Sequence, residues 1–520
     1  MSIFFGTWNR GIPLLKDKHE RKEKVWPFSQ ISFEKKCLLC KKPHSHLIMQ
    51  KHRILAAAIG AAICLSVSAQ YGPGGLSQSD LKSLADSYTP TASDKAIQNA
   101  LASGNINTLA LNQERMNNFD THFSHKVPTK GITNQKSSGR CWLFTGLNVL
   151  RSDMINKLNL PSFQLSQNYN FFYDQLEKCN LFLQAIIDTA KEPADNRTVD
   201  WLFHNPLSDG GQFTGVADNI MKYGVVPASV MAETAQSNST SQMRTLLSNK
   251  LREWGLELRK MAASGSNNKA LEAKKMEMLK EAYRFLALNL GVPPTEFTWT
   301  RYDAKGEPVD TRTYTPQEFY KEYIGTDLRG DFVMMMNDPS RPYYEVYEID
   351  LDRHLYDGDN WKFVNVPIEV IKETAIKSIK DSTMMYFSCD VGKFFDRERG
   401  ALDLDTYDYG SLFGTTYGMN KAERIASGAS ASSHAMTLAG VDLDKDGKPV
   451  KWWVENSWGP GANDGHLIMT DAWMDEYLFR LVANKQYVPA VVLETLKTKK
   501  PIKLPAWDPL YSGESTDILK

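Results

Sequence analysis

The stretch Gln135-Lys-Ser-Ser-Gly-Arg-Cys141-Trp142 decides the fold, because it places a cysteine at the start of a helical pattern. From Cys141 to Arg151 the apolar residues are spaced as they are in a buried helix. The positive end of a helix dipole and the free N–H groups there favour a thiolate over a thiol. A thiolate attacks carbonyl carbon atoms, so the stretch predicts that Cys141 is a nucleophile for acyl transfer. Taken alone, a cysteine also fits the role of a small buried apolar residue.

Gln135 precedes Cys141 in the same stretch and offers a side-chain amide. An amide N–H beside the sulfur can stabilise the negative oxygen that forms when a carbonyl is attacked. Together with the backbone N–H of Cys141, Gln135 therefore predicts an oxyanion hole.

Two downstream segments offer partners for the thiol, Ser432-Ser-His434-Ala-Met436 and Glu455-Asn456-Ser-Trp-Gly459. A histidine at the mouth of a strand can take the thiol proton and later return it to a leaving amine. The amide of Asn456 can accept the other ring N–H and fix the orientation of the imidazole. His434 and Asn456 are therefore predicted to act with Cys141.

Two further motifs have structural interpretations. His466 lies at the start of a predicted strand, with no orienting partner nearby in sequence. The run Asp442-Leu-Asp-Lys-Asp-Gly447 resembles the start of an EF-hand calcium loop, which needs a glutamate at its twelfth position. Trp453 occupies that position, so we predict a hairpin turn.

Composition excludes several classes of protein. The 520 residues include 61 Lys+Arg and 61 Asp+Glu, so the formal net charge is zero, and a nucleic-acid partner is not expected. Apolar residues make up 42% and charged residues 23%, which is ordinary for a globular protein and excludes low-complexity disorder and a polytopic membrane protein. The length fits two to four domains or one large elaborated domain.

One apolar run has the layout of a targeting signal. Basic residues at 51–53 precede the run Ile54–Val67, and small residues follow it. This pattern predicts a signal peptide cut near Ala69, and hence an exported protein, periplasmic or secreted. The run is shorter than the ~20 residues of a spanning helix, so no stable membrane span is expected, and a signal anchor is the alternative. We interpret residues 1–48 as an over-long gene start.

Cysteine usage after the predicted cut is sparse. Cys141, Cys179 and Cys389 remain, an odd number that does not fit a disulfide scaffold. At least one of the three thiols is therefore expected to be free.

A helix-rich half followed by a strand-rich half predicts an α+β protein with two lobes and a cleft between them. Leu-, Lys- and Glu-rich periodicity indicates a large helical insertion between the halves. The predicted segments are an over-long start plus signal peptide (1–69), an N-terminal arm (70–125), a helical lobe with the nucleophile (126–240), the helical insertion (241–330), a β-rich lobe with the histidine and asparagine (331–505) and a C-terminal tail (506–520).

In combination, Gln135, Cys141-Trp142, His434 and Asn456-Ser-Trp-Gly459 resemble the papain-like cysteine peptidases, with the same chain order. A narrower resemblance is to the bleomycin hydrolase and aminopeptidase C family. The residues that carry it are Gly139-Arg-Cys-Trp142, Asp209-Gly-Gly-Gln212, Lys222-Tyr-Gly-Val-Val-Pro227, Gly440-Val-Asp-Leu-Asp444 and Trp507-Asp-Pro509, together with the large insertion.

The resemblance implies a papain-like two-lobe fold and a cysteine peptidase, an aminopeptidase acting on short peptides through a thioester acyl-enzyme. It implies that Cys141 is the nucleophile, His434 the general base and acid, Asn456 the orienting group and Gln135 the oxyanion donor. It further implies a homohexamer and no metal or organic cofactor. Substrate-binding positions carried over from the family are Gly210, Gly211 and Trp458.

The sequence departs from this family at its C-terminus. The chain continues past Trp507-Asp-Pro509 to Lys520, whereas the family ends within a few residues and uses its terminal carboxylate to hold the amino group of the substrate. An endopeptidase on the same fold is therefore an alternative. A catalytically silent binding or assembly protein is a second alternative, from another functional class.

Overall fold

The computed structural model describes residues 74–160 and 162–511. The predictions for residues 1–69, and those for the tail beyond residue 511, lie outside these residues. The chain divides into two compact units, residues 1–91 and 92–520. The described part of the first unit holds one helix, Gln78–Ser87, which begins with a capping box between Ser77 and Asp80 and buries none of its residues.

The second unit combines helices with one large sheet, which confirms the predicted α+β class. Its strands are β1 (His125–Lys126), β2 (Phe297–Tyr302), β3 (Pro308–Tyr314), β4 (Phe332–Met336), β5 (Glu345–Ile349), β6 (Lys362–Asn365), β7 (Met385–Cys389), β8 (Phe395–Asp396), β9 (Ala401–Leu402), β10 (His434–Leu443), β11 (Pro449–Glu455), β12 (His466–Thr470), β13 (Leu478–Asn484) and β14 (Ile502–Leu504). Its α-helices are Ala92–Leu101, Ile106–Ala110, Gln113–Asn117, Cys141–Leu158, Gln167–Asp188, Arg197–His204, Phe213–Tyr223, Ser241–Ala263, Asn268–Leu290, Pro316–Tyr323, Ile368–Lys380, Tyr409–Phe413, Lys421–Ala426, Asp471–Tyr477 and Ala490–Thr498.

The helical lobe is built around the helix Cys141–Leu158, which we call the central helix. Most of its residues are buried on every side, as expected for a helix that is apolar all round. The neighbouring helix Gln167–Asp188 begins at Ser166, whose side chain accepts a hydrogen bond from the Tyr169 N–H. The helix Phe213–Tyr223 ends at Gly224, where a φ of 73° favours glycine.

The insertion predicted over residues 241–330 begins with two helices and continues as a hairpin. The helices Ser241–Ala263 and Asn268–Leu290 pack against Gln167–Asp188, but residues 297–314 then form the hairpin of β2 and β3. The prediction of a helical insertion over 241–330 is therefore wrong for residues 297–314, whereas the helix Pro316–Tyr323 lies within the predicted range. This segment alternates threonines with large side chains, a pattern that suits a pleated strand. Hydroxyl pairs also join the two strands, Thr298 with Thr313 and Thr300 with Thr311.

The β-rich lobe is organised around β10. Within the described residues a 12-stranded sheet has the order β14-β5-β6-β4-β13-β7-β10-β11-β12-β9-β8, and β1 pairs with β10. β10 runs antiparallel to β7 and to β11. The turn between β10 and β11 has Gly447 at a φ of 77°, so residues 442–447 form a hairpin turn as predicted.

The two lobes meet where the central helix packs against β10 and β7. An ion pair also links them, because Arg151 Nη2 of the helix lies 3.0 Å from Glu455 Oε1 of β11, and both side chains are almost fully buried. Removing one member of such a pair would leave an uncompensated buried charge, so the contact disfavours arrangements that separate the two groups.

The described end of the chain is anchored to the sheet. Arg341 Nη2 lies 2.6 Å from Asp508 Oδ2, and Leu510 is buried. No helix within residues 74–160 and 162–511 has the length and apolar character needed to cross a bilayer.

Candidate active site

Cys141 is the first residue of the central helix, as the sequence predicts. Its side chain is half-buried. The loop before it is held by charged groups. Arg140 is fully buried and its Nη2 lies 2.8 Å from Glu233 Oε2, while the Gly139 N–H donates to Asp209 Oδ2 at 2.8 Å. These contacts leave the position of the sulfur little freedom.

His434 is the first residue of β10 and is buried. Its Nε2 lies 2.9 Å from Asn456 Oδ1, so the asparagine accepts the ring N–H and orients the imidazole. The indole of Trp458 covers the ring, with centroids 4.7 Å apart. The other ring nitrogen, Nδ1, has no hydrogen-bond partner among the described residues. The ring is therefore fixed with one nitrogen available for a proton.

The sulfur of Cys141 lies at the start of β10. The backbone N–H of Ala435, the residue after His434, hydrogen-bonds the thiol and by itself lowers the pKa of Cys141. The fold thus brings together two residues that are distant in sequence. The thiol thus contacts the backbone of the residue next to the oriented imidazole.

Burial has the largest effect on the pKa values of Cys141 and His434. It raises the pKa of the Cys141 thiol to about 11 and lowers the pKa of His434 to about 4. The backbone N–H groups at the helix start lower the pKa of Cys141, as expected, but desolvation has the larger effect. Either charge alone is disfavoured in this site.

Gln135 is buried beside the two groups. Its Nε2 donates to the Ser138 carbonyl at 2.7 Å, and its Oε1 accepts from Ser457 Oγ at 2.8 Å. An amide NH₂ has two donors, so one N–H remains for an oxyanion. The loop after β11 therefore positions the predicted oxyanion donor.

Gly210 and Gly211 lie against Trp142, the residue after the cysteine. Trp142 Nε1 donates to the Asp209 carbonyl at 2.9 Å. A Cβ atom on Gly211 would lie 2.2 Å from His354 Cε1 and 3.0 Å from Trp142 Cδ2. Only glycine fits this close approach. We refer to residues 208–211 as the Gly210 segment.

Sequence reasoning missed three ionisable residues behind this segment, namely Asp174, Lys178 and His354. Asp174 and Lys178 are one helical turn apart, which is the only sequence signal. His354 lies far along the chain, and no motif links it to them. Beside them is a cavity of about 530 Å³ whose wall includes Lys178, Gly210 and His354.

The remaining predicted features lie outside the site. His466 stacks on Trp453 with ring centroids 4.7 Å apart, which agrees with its structural interpretation. Cys141, Cys179 and Cys389 all carry free thiols, so the prediction of at least one free thiol is confirmed. Among the described residues we find no group of three His, Cys, Asp or Glu side chains that could hold a metal ion.

The two-lobed fold and a half-buried cysteine beside an Asn-paired imidazole define a papain-like cysteine peptidase. The chain belongs to the Peptidase C1-like family, which it matches over residues 75–511. It is 40% identical to human (Homo sapiens) bleomycin hydrolase over 400 residues, covering 75% of this chain and 88% of the relative. It is 38% identical to aminopeptidase C of Lactobacillus delbrueckii subsp. lactis over 397 residues, with the same coverage of both chains.

A solved structure supports the same family assignment. The crystal structure of PepW from Lactobacillus rhamnosis superposes with a TM-score of 0.82 at 38% identity, covering 84% of this chain and 99% of that chain. The predicted family, fold and enzyme class are therefore confirmed.

Proposed function

We propose that this cysteine peptidase is an aminopeptidase that removes N-terminal residues from short peptides through a thioester acyl-enzyme. The observation that carries the proposal is the arrangement at the start of β10. There the imidazole of His434 is oriented by Asn456 and keeps Nδ1 unpartnered, while the adjacent Ala435 N–H contacts the sulfur of Cys141. The names of the relatives, bleomycin hydrolase and aminopeptidase C, support the exopeptidase mode.

In the proposed mechanism, Nδ1 of His434 takes the thiol proton as Cys141 Sγ bonds to the carbonyl carbon of the substrate. The negative oxygen of the tetrahedral intermediate accepts hydrogen bonds from the Cys141 N–H and from Gln135. The C–N bond then breaks, and His434 gives its proton to the leaving amine. Water, deprotonated by the same nitrogen, attacks the thioester and releases the carboxylic acid and the free thiol.

Peptides with free and with blocked N-termini separate this proposal from endopeptidase activity. We expect a peptide with a free amino group to be cleaved at least about tenfold faster, by kcat/KM, than its N-acetylated form. A terminal amine that is bound in the cleft contributes about 1.4 kcal/mol or more, which corresponds to tenfold. Mass spectrometry of the products identifies the bond that is cut.

The alternative is an endopeptidase on the same fold. Internal cleavage of the acetylated peptide at a comparable rate would support that alternative. A Cys141→Ala preparation serves as the control for contaminating peptidases.

Oligomeric assembly is part of the same proposal. By the resemblance to bleomycin hydrolase and aminopeptidase C, the chain forms a homohexamer whose active sites face an internal cavity. Such an arrangement would admit short peptides and exclude folded proteins.

We also propose that the protein is exported and loses its N-terminus by cleavage after Ala69. The support is the basic residues 51–53, the apolar run Ile54–Val67 and the small residues that follow it. The match to the family begins at residue 75, shortly after this point. N-terminal sequencing of the protein from the exported fraction is expected to begin at Gln70. If membrane-bound protein still contains the apolar run Ile54–Val67, the run is a signal anchor instead.

A further inference from the structure

Three ionisable side chains are buried together behind the Gly210 segment. His354 Nδ1 lies 2.5 Å from Asp174 Oδ1, and Lys178 Nζ lies 3.0 Å from Asp174 Oδ2. The side chains of Asp174, His354 and Lys178 are 0%, 3% and 10% exposed. The cluster joins the helix Gln167–Asp188 to the loop between β5 and β6.

Lys178 uses its whole hydrogen-bonding capacity in this cluster. Besides its contact with Asp174, its Nζ donates to the Ser208 carbonyl at 3.0 Å and to the Gly210 carbonyl at 2.7 Å. An ammonium group has three donors, so all three are committed. Two of them hold the backbone of the Gly210 segment from behind.

The ring of His354 packs against the other side of the Gly210 segment. It meets Trp142 edge-on, with centroids 4.6 Å apart. Cβ atoms on Gly211 or on Gly215 would lie 2.2 Å and 2.4 Å from His354 Cε1. The ring therefore determines how closely Gly211 can approach the helix Phe213–Tyr223.

The Gly210 segment depends on these polar contacts, because apolar side chains do not fill the space behind all of it. The cavity of about 530 Å³ adjoins Lys178 and Gly210, so part of the segment is not backed by a packed core. Burial raises the pKa of Asp174, but its contacts with Lys178 and His354 outweigh this effect and hold the pKa below its usual value. Burial lowers the pKa of His354. An ionised pair in such a site is costly unless each member is fully hydrogen-bonded.

We propose that Asp174, Lys178 and His354 are positioning residues that set the place of the Gly210 backbone relative to Cys141, and thereby control binding of the peptide backbone. The inference rests on the proposed function, in which an extended substrate pairs with the Gly210 segment. The described contacts of the cluster are with the backbone of the Gly210 segment and with Trp142, so we expect its larger effect on substrate binding and a smaller one on the thiol.

Two rates of thiol modification test the proposal in Lys178→Met. Iodoacetamide reports the thiol alone, whereas a peptidyl chloromethyl ketone with a free amino terminus must also bind along the cleft. We expect alkylation of Cys141 by iodoacetamide to stay within twofold of wild type. Inactivation by the peptidyl reagent is expected to slow at least tenfold, and KM for a peptide to rise by a similar factor with a smaller change in kcat. Lys178→Arg, which keeps the charge and has room in the cavity, is expected to restore part of the loss.

Lys275→Met is the matched control, because Lys275 is equally buried and paired, with Glu272 and Gln184, but does not contact the Gly210 segment. It is expected to change both rates by less than twofold. Asp174→Asn provides the same comparison if Lys178→Met fails to fold. Equal changes in the two rates, or none, in the Lys178 and Asp174 variants would overturn the positioning role. A wild-type protein that cleaves no peptide would overturn the proposed function instead.

Discussion

Replacing Cys141 with alanine is expected to abolish peptide hydrolysis while the fold persists. The acyl-enzyme requires a bond between Sγ and the substrate carbonyl carbon, and alanine offers no nucleophile. Loss of a nucleophile of this kind lowers kcat by about 10⁴-fold or more. The fold is expected to persist because Cys141 is only half-buried and alanine is the best helix former. Steady-state kinetics and the thermal midpoint measure the two effects separately.

Cys179→Ala is the control for this substitution. Cys179 is a free and fully buried thiol in the helix Gln167–Asp188, and burial raises its pKa well above the usual value. Its replacement is expected to cost stability through a small cavity and to leave kcat/KM within about twofold. Activity near the wild-type level in Cys141→Ala would refute the assignment of the nucleophile.

Replacing His434 with glutamine is expected to lower kcat/KM by about 10³- to 10⁴-fold. Glutamine keeps an amide N–H that can donate to Asn456, but it cannot accept the thiol proton or return it to the leaving amine. General acid–base catalysis by one residue is worth about 10²- to 10⁴-fold, and here the same imidazole acts in both steps. Alkylation of Cys141 at neutral pH is expected to slow as well, because the thiol loses its proton acceptor.

The pH dependence distinguishes this role from a structural one. Burial lowers the pKa of His434 from 6.5 to about 4, so the imidazole stays neutral and accepts a proton down to that pH. Below it the ring is already charged, and kcat/KM is expected to fall. Wild-type activity should therefore persist at pH 5 to 6, and the residual alkylation of Cys141 in His434→Gln should lack the acid limb. An acid limb near 6.5 in the wild type would contradict the effect of burial on His434.

Much of the local structure could be predicted from the sequence, because it depends on neighbours along the chain. The apolar spacing after Cys141, the capping residue Ser166 and the terminating Gly224 act over one or two helical turns. The turn at Gly447 is set by the same short-range rules. The catalytic roles of Cys141 and His434 were inferred from the sequence because few residue types can perform this chemistry, and these roles stay predictions.

The features that the sequence did not predict depend on contacts between different elements of the fold. The hairpin of residues 297–314 was hidden in a segment that begins with two helices, and its pairing is decided between strands rather than within one. The net effect on the pKa of Cys141 was not predicted, because a helix start is a local feature, whereas desolvation depends on every element that packs around the sulfur.

By itself the sequence determined the class of chemistry, the central helix and the residues able to react, since side-chain type and periodicity are properties of the chain. Only the tertiary structure decided that β10 brings His434 to Cys141, and that Asp174, Lys178 and His354 meet behind the Gly210 segment. The physical reason is that these contacts join residues far apart along the chain. Their geometry and desolvation exist only once the two lobes have packed together.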